Sequence, residues 1–277
     1  MMKIRKPVVA GYFYPETKRA LIAEINKYIS PQQKEKQTII SAISPHAGYI
    51  YSGKTAGKVY SNVKSPDTAI IIGPNHHGYG EPYAVDTNDF WETPLGKVSI
   101  NKEIAQNILD KSKYLQEDSV AHMQEHSIEV QLPFLQFINP DIKIVPIVIS
   151  SYHDSNPWYE IGYIIGNILQ QSKKELIIIA SSDFTHYEPA QQAKQKDMYA
   201  IEAIIDLDAD EFLKRISENN ITICGFAPIV SAIIASRAAG AKRAVLIDYS
   251  NSGKVSGDMQ EVVGYAGIIV PQTTNIE

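Results

Sequence analysis

One cysteine, Cys224, among 277 residues leaves no partner for an intrachain disulfide. That scarcity argues for a reducing compartment, where thiols stay free. Positive charge is also sparse: 26 basic residues stand against 31 acidic ones, a formal charge of −5, and no Lys/Arg run exceeds two residues. Nucleic acid and anionic membrane surfaces need a concentrated positive field, so neither is expected as a partner. The apolar stretches are short, such as residues 142–149, far below the length of a membrane span. The charged start, Met1 to Lys6, is not followed by an apolar segment, so no signal peptide is expected and the reading is cytoplasmic. Several catalytic signatures are missing: a Walker A loop, a GxGxxG turn after a strand, a GxSxG elbow and an HExxH helix.

Hydrophobic residues make up 44% of the chain and charged residues 21%, enough for a substantial core. Short Ile- and Val-rich runs alternate with helical periodicities. Thr38 to Ser44, Thr68 to Gly73, Ile142 to Ile149, Leu176 to Ser181 and Arg243 to Tyr249 read as buried strands, and Glu261 to Val270 as a closing one. Thr17 to Ile29, Asn156 to Gln171, Pro189 to Asp206 and Phe226 to Ala239 read as helices. The alternation predicts a single α/β domain over residues 1–277, with a mostly parallel or mixed sheet and helices on both faces. Gly78 to Gln124 reads as a strand-poor excursion with a small hairpin around Glu92 to Ser99.

Reactive residues follow the strands. The run ending at Ser44 leads into Pro45-His46-Ala47-Gly48-Tyr49, and the run ending at Gly73 into Pro74-Asn75-His76-His77. The run ending at Ser181 leads into Ser182-Asp183-Phe184-Thr185-His186, and the run ending at Tyr249 into Ser250-Asn251-Ser252-Gly253. Ligands of open α/β sheets bind beyond the carboxyl ends of strands. Any one of these histidines, taken alone, reads as a capping residue, but placing His46, His76 and His186 alike predicts a shared pocket. Spacing does not choose between His76 and His77. His122 and His153 lie in polar stretches that read as solvated loops.

Cys224 sits in a turn before an apolar helix, where it is either a metal-binding thiolate or a small buried hydrophobe. His126 and Glu129, three apart on a predicted helix, serve equally as site residues or as a cap and helix-face ion pair. A His/His/Cys set suits iron, copper or zinc and not Mg²⁺ or Ca²⁺. Asp183 reads as a fourth ligand or as a carboxylate orienting a histidine, and His186 as a general acid/base.

At these residues the sequence resembles the Memo family. The resemblance is carried by Pro45 to Tyr49, Gly73 to His77, Glu125-His126-Ser127-Ile128-Glu129 with Leu132-Pro133, Ser181 to His186 and Thr222 to Gly225, over roughly residues 8–270. It implies the fold of class III extradiol dioxygenases, whose nonhaem iron is held by two His and a Glu, with Cys at the Glu position in Memo relatives. Carried over, the implied metal ligands are His46, His76 and Cys224, with His186 as acid/base beside Asp183. It further implies bound Fe(II) or Cu, redox activity, a small-molecule or peptide ligand in the pocket, and in microbes a radical-SAM protein as partner. One departure is the stretch Val9-Ala10-Gly11-Tyr12-Phe13-Tyr14-Pro15, where many relatives carry a His before Gly-Ser-Trp-Tyr. The leading expectation is a metal-dependent nonhaem redox enzyme. The rivals are a non-catalytic binding or adaptor protein that keeps the pocket, and a metal-independent Cys-His-Asp hydrolase.

Overall fold

A computed structural model describes residues 2–30, 38–151 and 155–272. The chain opens with β1 (Ile4–Arg5) and α1 (Lys18–Tyr28), whose first turn is capped by Thr17 accepting from the Ala20 amide. Then follow β2 (Ile39–Ser44), α2 (Tyr49–Asn62) and β3 (Thr68–Pro74). The middle stretch holds β4 (Tyr83–Val85), the hairpin of β5 (Phe90–Thr93) and β6 (Gly96–Ile100), α3 (Lys102–Lys111) and β7 (Gln116–Glu117). A 3₁₀ turn (Glu129–Gln131) runs into α4 (Leu132–Ile138), followed by β8 (Lys143–Ile149), α5 (Asn156–Gln171) and β9 (Leu176–Ser181). The last third contains β10 (His186–Glu188), α6 (Ala190–Ile205), α7 (Ala209–Asn219), α8 (Phe226–Ala238), β11 (Val245–Asn251), α9 (Gly253–Ser256) and β12 (Val262–Pro271).

These strands join one 12-stranded mixed sheet whose central path is β8-β3-β9-β2-β12. β8, β3, β9 and β2 run parallel, and β12 is antiparallel to both β2 and β11. Successive side chains on a strand point to opposite faces. Accordingly Ile70, Ile72 and Ile178 enter the core under α5 and α8, while Ile71, Ile177 and Ile179 enter the other core, under α1, α2 and α4. All six are fully or almost fully buried, and each such side chain stabilises the fold by about 1.5–3 kcal/mol. Cutting Ile71 back to Ala costs about 2–5 kcal/mol, since a void remains.

The excursion differs from the expectation. Its hairpin is present, with Gly96 taking a φ of +129° at the turn, but the stretch is not strand-poor. β4 pairs antiparallel with β8, and β6 extends the parallel register beyond β8. Two- and three-residue strands leave too short an alternation to read in a sequence. Among the described residues no helix is long and apolar enough to cross a membrane.

Candidate metal centre

Because β2, β3 and β9 run parallel, their carboxyl ends open at one edge of the sheet. His46 lies two residues beyond β2, His76 two beyond β3, and Asp183 two beyond β9. Two glycines let other segments close over this edge. A Cβ on Gly73 would sit 2.3 Å from Ser127 Oγ, and one on Gly225 would sit 2.5 Å from the Ser181 carbonyl oxygen. Only a bare backbone at these positions admits the His126 loop and the Cys224 turn so closely.

His46, His76 and His126 converge. One ring nitrogen from each lies within 4.8 Å of those of the other two, so the three could hold one metal ion. The His46 ring meets His76 edge-on at 5.1 Å and His126 edge-on at 5.4 Å, while His76 and His126 stack at 4.7 Å. Burial, reinforced by the neighbouring imidazoles, holds His46 well below the usual histidine range. Burial likewise lowers His126 to about 4. At neutral pH these rings are uncharged lone-pair donors, the state a metal requires.

The ring of supporting contacts is specific. Glu125, completely buried, accepts the His76 backbone amide at 2.8 Å and faces the His76 Nδ1 at 2.9 Å. Burial alone would raise its carboxyl, but the hydrogen bond and charge of His76 outweigh that and hold it well below the usual carboxylate range. A carboxylate only accepts, so Nδ1 of His76 carries a proton, and Nε2 is the ring atom that could serve a metal. Glu129 does something else. Its buried carboxylate receives Arg5 at 2.6 Å, the Val8 and Val9 amides at 2.9 and 3.0 Å, and the Tyr14 hydroxyl at 2.7 Å. It therefore ties the N-terminal segment to the loop that carries His126, and Phe13 of that segment packs on the His126 ring at 4.9 Å.

Cys224 borders the cluster. Its Sγ lies 3.2 Å from His46 Nε2 and accepts the Asp183 amide at 3.3 Å. Burial, with Asp183 nearby, pushes the thiol up. Asp183 accepts the backbone amides of His46 and Ala47 at 2.8 and 3.3 Å, so it shapes the turn that presents His46. Burial raises its carboxyl to about 6. His186 donates Nδ1–H to the Thr222 carbonyl at 2.9 Å, which leaves Nε2 with no hydrogen-bond partner among the described residues. The next residue, Tyr187, is one of few non-glycines with positive φ (59°), at an irregularity in the β10–β12 pairing. Such a conformation costs about 1–2 kcal/mol.

Two expectations change and one open choice is decided. His122 is buried, not solvated: its Nε2 donates to the Ala84 carbonyl and its ring meets Trp91 edge-on, while Nδ1 has no partner among the described residues. His126 and Glu129 do not share a helix face, because the helical turn begins at Glu129, and the two side chains serve different networks. Of the two adjacent histidines, His76 joins the cluster and His77 is exposed, stacked on Tyr79. His153 lies outside the described residues. In the sequence His126 is marked by its i, i+3 spacing from Glu129 and by the Glu125 to Glu129 motif, but neither carboxylate hydrogen-bonds to it: Glu125 faces His76 and Glu129 holds the N-terminal segment.

The family described as Memo-like protein matches residues 5–269. The chain belongs to the Memo family. A MEMO1 family protein of Methanosarcina barkeri is 44% identical over 268 residues, covering 96% of this chain and 100% of the relative. One from Aquifex aeolicus is 41% identical, covering 97% of this chain and 99% of its own length. The fold is similar to that of an uncharacterized protein of Escherichia coli K12, with a TM-score of 0.56 at 11% identity, covering 83% of this chain and 99% of the other. The Memo match includes every residue of the cluster and of its supporting network.

Proposed function

We propose that this Memo protein is a metal-dependent nonhaem redox enzyme that binds iron or copper and takes a small-molecule or peptide ligand at the mouth of the pocket. The observation that carries this reading is the convergence of three imidazoles, two of them held uncharged by burial. An all-nitrogen set with an adjacent sulfur suits a borderline or soft transition metal, and no oxygen cage suited to Mg²⁺ or Ca²⁺ surrounds it among the described residues. His46 and His76 are the ligands common to the geometric cluster and to the set implied by family resemblance. Cys224 is the further ligand from that resemblance. Its Sγ lies 3.2 Å from His46 Nε2, so the two would be able to hold the same ion, with the thiolate supplying a soft donor.

A bound ion would supply Lewis acidity and one-electron chemistry. The chain's own residues do the rest. His186, with Nδ1–H fixed on Thr222, keeps Nε2 to take or give a proton. Asp183 holds the His46 turn in place through two backbone amides. The hydrolase alternative is disfavoured, because it needs an acidic thiol and burial makes Cys224 less acidic.

The test is metal analysis and oxygen uptake with a reductant or a catechol-like panel, comparing wild type with His186→Ala. The proposal expects the variant to retain metal and lose about 10²–10⁴-fold in turnover. Protein that takes up neither Fe(II) nor Cu(I) under anaerobic conditions overturns it. Metal uptake without turnover on any substrate favours a binding or adaptor role.

A further inference from the structure

We infer that Ser181 is a positioning residue that fixes the tautomer of His46, so that this ring presents an unprotonated Nε2 to the pocket. The inference deepens the metal-binding reading and rests on it for its effect on affinity, though not for the tautomer itself.

The Ser181 hydroxyl has one proton and three polar neighbours. Its Oγ lies 2.6 Å from the Ser127 carbonyl oxygen, 2.8 Å from Gln131 Nε2 and 3.0 Å from His46 Nδ1. A carbonyl oxygen only accepts, so the Ser181 proton goes to Ser127. An amide nitrogen only donates, so Gln131 occupies one lone pair of Ser181. The orientation of that amide is set by its other contacts: Nε2 lies 3.0 Å from the Pro45 carbonyl, and Oε1 receives the Tyr60 hydroxyl at 2.8 Å. The remaining lone pair of Ser181 faces Nδ1 of His46. With the hydroxyl proton committed, only Nδ1–H completes that bond.

Burial closes the alternatives. Ser181 is fully buried, and Gln131 and His46 are 1% and 2% exposed, so water does not compete for these groups. His46 Nε2 consequently carries a lone pair on the side where Cys224 Sγ lies at 3.2 Å and His76 and His126 gather. An unconstrained neutral histidine favours the opposite form, with the proton on Nε2, in which the pocket-facing atom is no ligand. His76 solves the same problem with a carboxylate. At His46 a hydroxyl does it without placing a carboxylate against the ring.

The first measurement uses wild-type protein without metal. Nitrogen-15 NMR of the His46 ring, assigned by its loss in His46→Asn, should show a protonated Nδ1 and an unprotonated Nε2 at neutral pH. A proton on Nε2, or on both nitrogens, overturns the inference. Next, Ser181→Ala should shift the ring toward the Nε2–H form and weaken Fe(II) binding by about 10–100-fold. Ser181→Thr, which keeps the hydroxyl, should restore both. A merely structural serine would leave the tautomer unmoved in Ser181→Ala, and that result also overturns the inference. If the threonine methyl does not fit, the wild-type spectrum alone decides. Wild type with the stated tautomer but no metal uptake would sink the metal reading while leaving the assignment standing.

Discussion

Replacing Arg5 by Met removes the cation that sits against the buried carboxylate of Glu129, with side-chain exposures of 5% and 0%. The guanidinium also donates to the carbonyls of His122 at 2.9 Å and Glu125 at 2.7 Å, and lies 4.1 Å over the Trp91 ring. Methionine keeps the apolar contact with Trp91 and loses the rest. Breaking a buried pair on one side typically costs about 3–5 kcal/mol, because the other charge stays behind. Here Glu129 retains two backbone amides and the Tyr14 hydroxyl, which argues for the low end, about 3 kcal/mol. At about 2–4 °C per kcal/mol for a chain of this order of length, the melting temperature should fall by about 6–12 °C. The assay is urea unfolding of metal-free protein, since bound metal would add its own stabilisation. The double variant Arg5→Met/Glu129→Leu should lose less than the two single losses combined, because no buried charge is then stranded. An Arg5→Met protein within about 1 kcal/mol of wild type would refute the reasoning. It would mean that the amides alone satisfy Glu129.

Glu125→Gln should weaken metal binding by about 10–100-fold, because an amide replaces the carboxylate that orients His76; unchanged affinity in an Fe(II) titration would count against that role. Calorimetry of metal binding in buffers of different ionisation enthalpy separates the ligand sets. Because Cys224 is held protonated by burial, its ligation should release about one proton at neutral pH, whereas ligation by His46 and His126, held neutral by burial, should release almost none. Metal-free protein should lose stability as pH falls from about 6.5 to about 4. Burial lowers His122 and His126 to about 4, so the stability linked to their neutral forms is present above the unfolded value near 6.5 and lost on acidification. Asp183, raised to about 6, acts in the opposite sense over the same window and offsets part of the loss. A urea midpoint that is flat between pH 7 and pH 4.5 would contradict these assignments.

The sheet was legible because each central strand is a run of β-branched residues ending at a turn. Thr68 to Gly73 and Leu176 to Ser181 mark their own boundaries, and helix α5 begins and ends where its periodicity predicts. His46, His76 and Asp183 could be found because a parallel sheet converts sequence position at a strand's end into a shared location. His126 obeys no such rule. It reaches the edge only because Gly73 has no side chain to block the loop and because Arg5, more than a hundred residues away, anchors that loop through Glu125 and Glu129. His122 misled for the same reason: its polar neighbours in sequence are not its neighbours in space, where Trp91 and Ala84 enclose it. The pattern has a physical origin. Residues placed by local backbone geometry announce themselves in the sequence, whereas residues placed by long-range polar bonds depend on partners whose own positions are fixed only when the core closes. The imidazole cluster draws on both kinds. His46 and His76 come from strand ends, while His126 and the supporting Glu125 come from a loop held by Arg5, so strand geometry in the sequence brings the first pair together, whereas His126 stands in the sequence as one of two equal readings that only the fold decides.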